Sequence, residues 1–283
     1  MYASRLNPAT AARQILEAAA REARYIVFCG IPGAGKSFLL REQLGLAVAA
    51  GRSVSLLQWD VMRQAFEQPA VLSRYPEIGG STHAMIRRAV GLWVRGAIAR
   101  WATEHSRPTH VLLIEAPLVG GRMIELARHV HDAAEPLLSG PDARYFVPSP
   151  SVEVRAAIEA ARREEMSSHR HARDAANAPP QLVDELWQLV AMTAARLGLA
   201  SGVDTSAYSP DLYFAVYQAV LHRRAVTRVP VEEIIHSASS PYEFGAQFPE
   251  LAPSAVEVNE LIARAESEGL AQVTAAAECW YES

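Results

Sequence analysis

The sequence predicts an α/β protein organised on a parallel sheet, and three observations carry that expectation. Short unbroken apolar runs, first Tyr25-Ile26-Val27-Phe28-Cys29, alternate with longer stretches of helical periodicity. The first run passes straight into a glycine-rich turn, Gly30-Ile31-Pro32-Gly33-Ala34-Gly35-Lys36-Ser37, with a helical stretch behind it. Asp60 and Glu115 each close a later apolar run. Strands alternating with helices give a parallel sheet covered on both faces, and such sheets bind ligands at the carboxyl ends of their strands. Gly30, Asp60 and Glu115 would converge there.

Each element follows in order. Asn7-Pro8 opens an Ala-rich helical stretch over 9–24, with Ile15 and Leu16 as its larger apolar residues. Residues 25–29 form the first strand, and the helix over 38–50 ends at Gly51. Residues 53–57 read as the second strand, closing on Asp60. Pro69, Pro76, Gly79 and Gly80 make 67–82 a loop. A helix from about 82 to 104 carries Ile86, Val90, Trp93, Val94, Ile98 and Trp101 at helical spacing, which assigns both tryptophans to the core. Arg87, Gly91 and Arg95 fall elsewhere on that helix. Residues 111–114 are the third strand, ending at Glu115, and a helix is expected after Gly120-Gly121. A weaker fourth strand covers 144–147, followed by helical patterns over 149–166, 181–197 and 212–224, with a polar stretch over 167–180. Residues 229–235 suit a fifth strand in spite of Pro230, and 254–277 an amphipathic helix. There is no internal repeat and no clear linker.

The chain has 283 residues, half of them hydrophobic and 20% charged, which excludes a disordered or collagen-like polymer. A net charge of −4 argues against gripping a nucleic-acid backbone as the main task. Two cysteines far apart make no disulfide framework, and Cys29 reads as a buried thiol. Neither a secretory leader pattern nor a membrane-length apolar run is seen, so a cytoplasmic protein is expected.

The turn Gly30-x-x-x-x-Gly35-Lys36-Ser37 matches the phosphate-binding loop pattern in full. Glycines let successive backbone N–H groups ring a phosphate, and the following helix N-terminus adds partial positive charge. Lys36 would reach the β- and γ-phosphates and the Ser37 hydroxyl would bind Mg²⁺, with the loop through Phe38 lining the nucleotide. Of 27 basic residues only Lys36 is a lysine, the rest being arginine. Arginine is too large and rigid to replace its compact ammonium there.

Other nucleotide-binding classes fit less well. With no second lysine, the Asn-Lys-x-Asp guanine-reading motif is impossible. The third strand ends Glu115-Ala116-Pro117 rather than Asp-Glu, and Leu138-Ser139-Gly140-Pro141 departs from the transporter Leu-Ser-Gly-Gly. The order of phosphate loop, acid after strand two, acid after strand three and Arg-rich segment after strand four resembles the adenylate-kinase-like phosphotransferases. More narrowly it is similar to the hydroxyl kinases: chloramphenicol phosphotransferase, the zeta toxins and the seryl-tRNA kinase group. The resemblance spans roughly residues 24–240, and only the phosphate loop is a specific motif.

That resemblance implies a three-layer P-loop NTPase fold with a five-stranded parallel sheet in the order 2-3-1-4-5, ATP and Mg²⁺ as cofactors, and a small-molecule acceptor. It implies a kinase domain over 1–240, a lid over about 155–180, acceptor-site helices over about 67–104, and a helical extension over 241–283 packed on the same domain. Asp60 takes the position of the family's base, although it also suits a helix N-cap. Glu115 would hold Mg²⁺ or contact the acceptor, or else cap a neighbouring turn. Arg63, one turn on from Asp60, would steer an anionic group on the substrate or else be solvated, and Arg122 would enter the same cleft as Glu115. Arg87 and Arg88 can meet an anionic acceptor or face solvent. Arg162, Arg163, Arg170 and Arg173 fall on the lid, where a guanidinium would stabilise the transferring phosphoryl group, although Glu164, Glu165 and Asp174 also allow a solvated, ion-paired helix. His169 and His171 read as surface residues. Two other readings stay open: a kinase of a tRNA or nucleic-acid hydroxyl, and a nucleotide-dependent switch whose helical tail docks a partner. Acceptor identity and oligomeric state are not legible.

Overall fold

Strand β1 (Tyr25–Cys29) is buried at every position, as its unbroken apolar run requires. In the computed structural model, which describes residues 4–165, 180–234 and 247–282, it is the centre of a five-stranded sheet. Strands β2 (Ser53–Gln58), β3 (His110–Ala116), β4 (Ala143–Pro150) and β5 (Val226–Val231) complete it in the order β2-β3-β1-β4-β5, all parallel.

The period of two along each strand divides the core into two layers. On one face Ile26, Phe28, Leu56, Val111 and Leu113 pack with α1 (Ala11–Glu22) and α2 (Lys36–Ala49). On the other, Val27, Cys29, Leu57, Leu112 and Ile114 pack with α3 (Trp59–Phe66) and α5 (Ala84–Glu104). The protein is therefore α/β, with apolar burial on both sheet faces. Trp93 and Trp101 belong to this second core.

Several boundaries differ from expectation for local reasons. The loop over 67–82 contains a one-turn helix, α4 (Pro69–Leu72), opened by its proline at the first helical position. Pro230 lies within β5, where it is tolerated because β5 is an edge strand paired only with β4. After Gly120-Gly121 the expected helix is absent. Two 3-10 turns (Val119–Gly121 and Ile124–Leu126) and the short α6 (Glu135–Leu138) stand in its place, and Met123 at φ 62° breaks the helical path.

This segment is held by two arginines instead. Arg95 donates to the carbonyls of Glu125 and Arg128, and Arg224 to those of Leu126 and Arg128. Both also bind Glu135, at 2.8 Å and 2.6 Å. Burial alone would raise the Glu135 carboxyl, but hydrogen bonds from Arg224, Arg95 and His129 outweigh it and hold the group well below the usual carboxylate range.

Helices α7 (Val152–Glu165), α8 (Pro180–Arg196) and α9 (Pro210–Val220) follow β4. The expected single tail helix is two: α10 (Ala255–Glu268) and α11 (Leu270–Glu278), parted at Gly269 with φ 87°. Val258, Ile262, Ala265, Val273 and Trp280 bury their side chains in the core that includes α5. No helix among the described residues is long and apolar enough to cross a membrane.

The Glu135 network gives a stability test. A carboxyl depressed in the folded state adds stability above its unfolded value, and that stability fades as pH falls from about 5. Glu135→Gln is expected to cost about 3 kcal/mol at pH 7, by leaving buried guanidiniums uncompensated. Urea unfolding from pH 7 to 4 should show the native chain losing more stability than the variant over this range.

Candidate functional site

The turn after β1 runs into α2 without a side-chain cap. Gly35 takes the N-cap position with φ 87°, a left-handed conformation that suits glycine, and it has no side chain with which to cap the first helical turn. An uncapped helix N-terminus of fourteen residues presents N–H groups and partial positive charge to an anion. Other amides of the turn are committed to its own frame. Gly30 N–H donates to the Ala116 carbonyl, Ile31 N–H to the Tyr213 hydroxyl and Ala34 N–H to the Ile31 carbonyl, while Pro32 has none to give.

Strand register brings the acid to this helix. Glu115 stands opposite Gln58 of β2 and Phe28 of β1, one residue before the end of β3. The period of two turns Glu115 and Gln58 toward the face that carries α2. Ser37 Oγ donates to Glu115 Oε1 at 3.1 Å, and Gln58 Nε2 to Oε2 at 3.4 Å. Lys36 Nζ donates to the Ile31 carbonyl at 3.1 Å and lies 3.7 Å from Glu115 Oε1. Lys36 is only 6% exposed and Glu115 only 7%. The structure thus joins the adjacent pair Lys36 and Ser37 to Glu115, which lies 78 residues from Ser37 in the sequence.

Asp60 does not cap α3. Gln58 occupies the N-cap position, and Asp60 lies in the first turn, where a carboxylate complements the helix dipole. Its side chain is about one-third exposed. Arg63, one turn on, lies 3.7 Å from Asp60, 2.8 Å from Glu67 and 3.3 Å from Glu77. Arg63 therefore lies within ion-pair distance of three carboxylates of its own neighbourhood.

Arg87 and Arg88 are half-buried rather than solvent-facing, because the chain folds over that side of α5. Arg88 binds Glu125 at 2.7 Å and the Glu268 carboxylate through two nitrogens. Arg87 donates to the Gly120 carbonyl. Arg122 donates to the Val119 carbonyl at 3.0 Å and the Ser81 hydroxyl at 2.6 Å, and is buried. The side chains of Arg162 and Arg163, and all of Arg170 and Arg173, lie outside the described residues, as do His169 and His171.

Two residues of the site were not anticipated. Tyr213 holds the Ile31 amide, and Tyr217 donates to the Pro117 carbonyl at 2.8 Å just past β3. One turn apart on α9, their rings 5.0 Å from centre to centre, they brace both loops from behind. Burial pushes both phenols well above their ordinary value, so both hydroxyls stay neutral, Tyr213 accepting from the Ile31 amide and Tyr217 donating to the Pro117 carbonyl. Their i, i+4 spacing reads in sequence as ordinary core packing. Cys29 beneath them is buried, and burial likewise pushes its thiol up.

No cluster of three or more His, Cys, Asp or Glu suited to a metal occurs among the described residues. No family model, curated protein or solved structure matches the chain.

Gly30 offers a direct check on this frame. A β-carbon there would overlap the Tyr213 hydroxyl, at a φ of 149° that side chains rarely adopt. Gly30→Ala should lower stability by roughly 1–3 kcal/mol. Adding Tyr213→Phe should restore part of that loss, readable as a shift in the urea midpoint.

Proposed function

We propose that this chain is a P-loop phosphotransferase that moves the γ-phosphoryl group of ATP to a hydroxyl of a small molecule, with Mg²⁺. The observation that carries the reading is the buried Lys36, the chain's single lysine, folded over an uncapped helix N-terminus beside the Ser37–Glu115 pair. The donor set fits the implied groups: backbone N–H and ammonium for phosphate oxygens, hydroxyl and carboxylate oxygens for a hard cation. The resemblance to the adenylate-kinase-like hydroxyl kinases supports the same chemistry, and a cytoplasmic kinase domain over 1–240 with a helical extension over 241–283 belongs to the proposal.

Lys36 neutralises charge on the β- and γ-phosphates, and the start of α2 holds them by N–H donation. Ser37 and Glu115 would hold Mg²⁺, which when bound neutralises further charge on the phosphate oxygens. Asp60 orients the acceptor hydroxyl and takes its proton. The hydroxyl oxygen forms a bond to the γ-phosphorus, the bond to the β-phosphate bridging oxygen breaks, and ADP leaves with that electron pair. Arg63 acts through Asp60, holding the carboxylate as a positioning residue.

A nucleic-acid acceptor is disfavoured by the acidic net charge. A partner-docking switch is disfavoured because the apolar side of the tail is already packed into the protein's own core.

Lys36→Ala should abolish productive use of ATP. Asp60→Asn should bind ATP as the native chain does and lose transfer by roughly 100-fold or more. Incubation with γ-labelled ATP, Mg²⁺ and a small-molecule extract, followed by mass detection of labelled products, measures both. Full activity of Asp60→Asn would sink the assigned base. Labelled inorganic phosphate alone, with no acceptor from the extract or from added tRNA, would sink phosphotransfer.

A further inference from the structure

The turn that carries Arg122 is built under strain. Leu118 has φ 62° and ψ −44°, and Val119 N–H closes a γ-turn on the Pro117 carbonyl at 2.8 Å. Leu118 N–H then binds the Arg122 carbonyl at 2.8 Å, and Tyr217 anchors Pro117 from below. A non-glycine residue held in that conformation fixes the guanidinium of Arg122 through its own backbone.

Arg87 reaches the same place from α5. A β-carbon on Gly120 would stand 2.8 Å from Arg122 Nη1 and 3.0 Å from Arg87 Nη1, so the missing side chain lets two cations bracket one point. Neither guanidinium has a carboxylate within ion-pair distance among the described residues; their partners are two carbonyls and the Ser81 hydroxyl. Arg87 Nε is buried with no hydrogen-bond partner. Burial pushes Arg87 down to about 10 and, with repulsion from Arg87, Arg122 down to about 9, so both are charged at neutral pH. Two like charges held together with no carboxylate in ion-pair contact are costly, and an oxyanion between them removes that cost. Asp60 and Arg63 both lie within electrostatic range of Arg122.

We propose that the Arg87–Arg122 pair, with Ser81, receives a carboxylate or phosphate group carried by the acceptor itself. The acceptor class is then a hydroxylated acid or a phosphorylated alcohol, not a neutral sugar or alcohol. This rests on the phosphotransfer reading above. The anion would fix one end of the acceptor and leave its hydroxyl to Asp60, which converts loose binding into a positioned attack.

The test uses the full chain saturated with ADP and Mg²⁺, so that the loop over 30–37 is filled. Inorganic phosphate and malonate are titrated into it by calorimetry. One of them should bind, and Arg87→Gln should weaken that binding roughly 10- to 100-fold, with ADP binding as in the native chain. Arg122→Lys, which keeps charge but loses the fork, serves as a second variant and should also weaken it. Failure of both anions to bind, or equal binding in both variants, overturns the proposal whatever the fate of ATP.

A second arm supplies γ-labelled ATP and three acceptor mixtures: neutral polyols, hydroxycarboxylates, and phosphate monoesters with a free hydroxyl. Label in one anionic mixture, with its KM raised by Arg87→Gln, supports the proposal and separates carboxylate from phosphate. Label in the polyols alone overturns it and leaves phosphotransfer standing. Arginine-dependent anion binding with no labelled product from any mixture overturns both the acceptor assignment and the phosphotransfer reading.

Discussion

The pairing of β3 with β1 on one side and β2 on the other is the constraint on which the rest of the site depends. It sets Glu115 level with Gln58 and Phe28, and the alternation of side chains then leaves only one place for its carboxylate. That place is the start of α2, where Ser37 and Lys36 meet it. A slip of one residue would turn Glu115 to the opposite face, among Leu112 and Ile114, and strand it in an apolar core. The apolar residues on either side of Glu115 therefore protect the site's register while they stabilise the sheet.

The chain treats its buried arginines in two contrasting ways. Arg95 and Arg224 converge on Glu135, and Asp132 completes the set, so charge is balanced within a segment that has little secondary structure of its own. Those ion pairs do what a helix would otherwise do for the carbonyls between residues 125 and 128. The half-buried Arg87 of α5 and the buried Arg122 lack such balance among the described residues, and they meet at a turn whose backbone is strained. Strain and charge without an ion pair both cost stability, and they coincide at one turn, where the proposed acceptor anion would relieve the second of them.

The centre of the sheet was legible because a strand buried on both faces is apolar, as the runs of β1 and β3 are, whereas the fourth run is weaker and the fifth carries Pro230. The loop 30–37 was legible because its glycine and lysine spacing encodes a backbone shape. What escaped reading depends on contacts across the fold. The lack of an α-helix over 122–134 depends on Arg95 and Arg224, which come from elsewhere in the chain. Arg87 and Arg88 lie off the apolar stripe of α5 and look solvated until the turn at Gly120 and the tail cover them. Tyr213 and Tyr217 look like core aromatics and are core aromatics, with hydroxyls whose partners lie about a hundred residues or more away. Asp60 was found by its position after a strand, but its first-turn placement follows from β2 extending one residue further, to Gln58.

The tail shows how far the site's supports extend. Ala277 of α11 lies against Gly121, where an added β-carbon would come within 3.2 Å of its backbone. Glu268 at the end of α10 takes the Arg88 fork, Glu266 binds Tyr75 at 2.7 Å and also Arg74, and Glu257 binds the Trp93 indole at 3.0 Å. These contacts fall on α5 and on the chain just before it, the same elements that present Arg87 and Ser81. With Trp280 fully buried beside Tyr217, the tail braces α9 as well. The strained turn after β3 is thus enclosed on three sides, by α5, α9 and α11. That enclosure is what allows a leucine at positive φ and two guanidiniums held by carbonyls and a hydroxyl to persist, because relaxing either would require unpacking helices that are held by an apolar core.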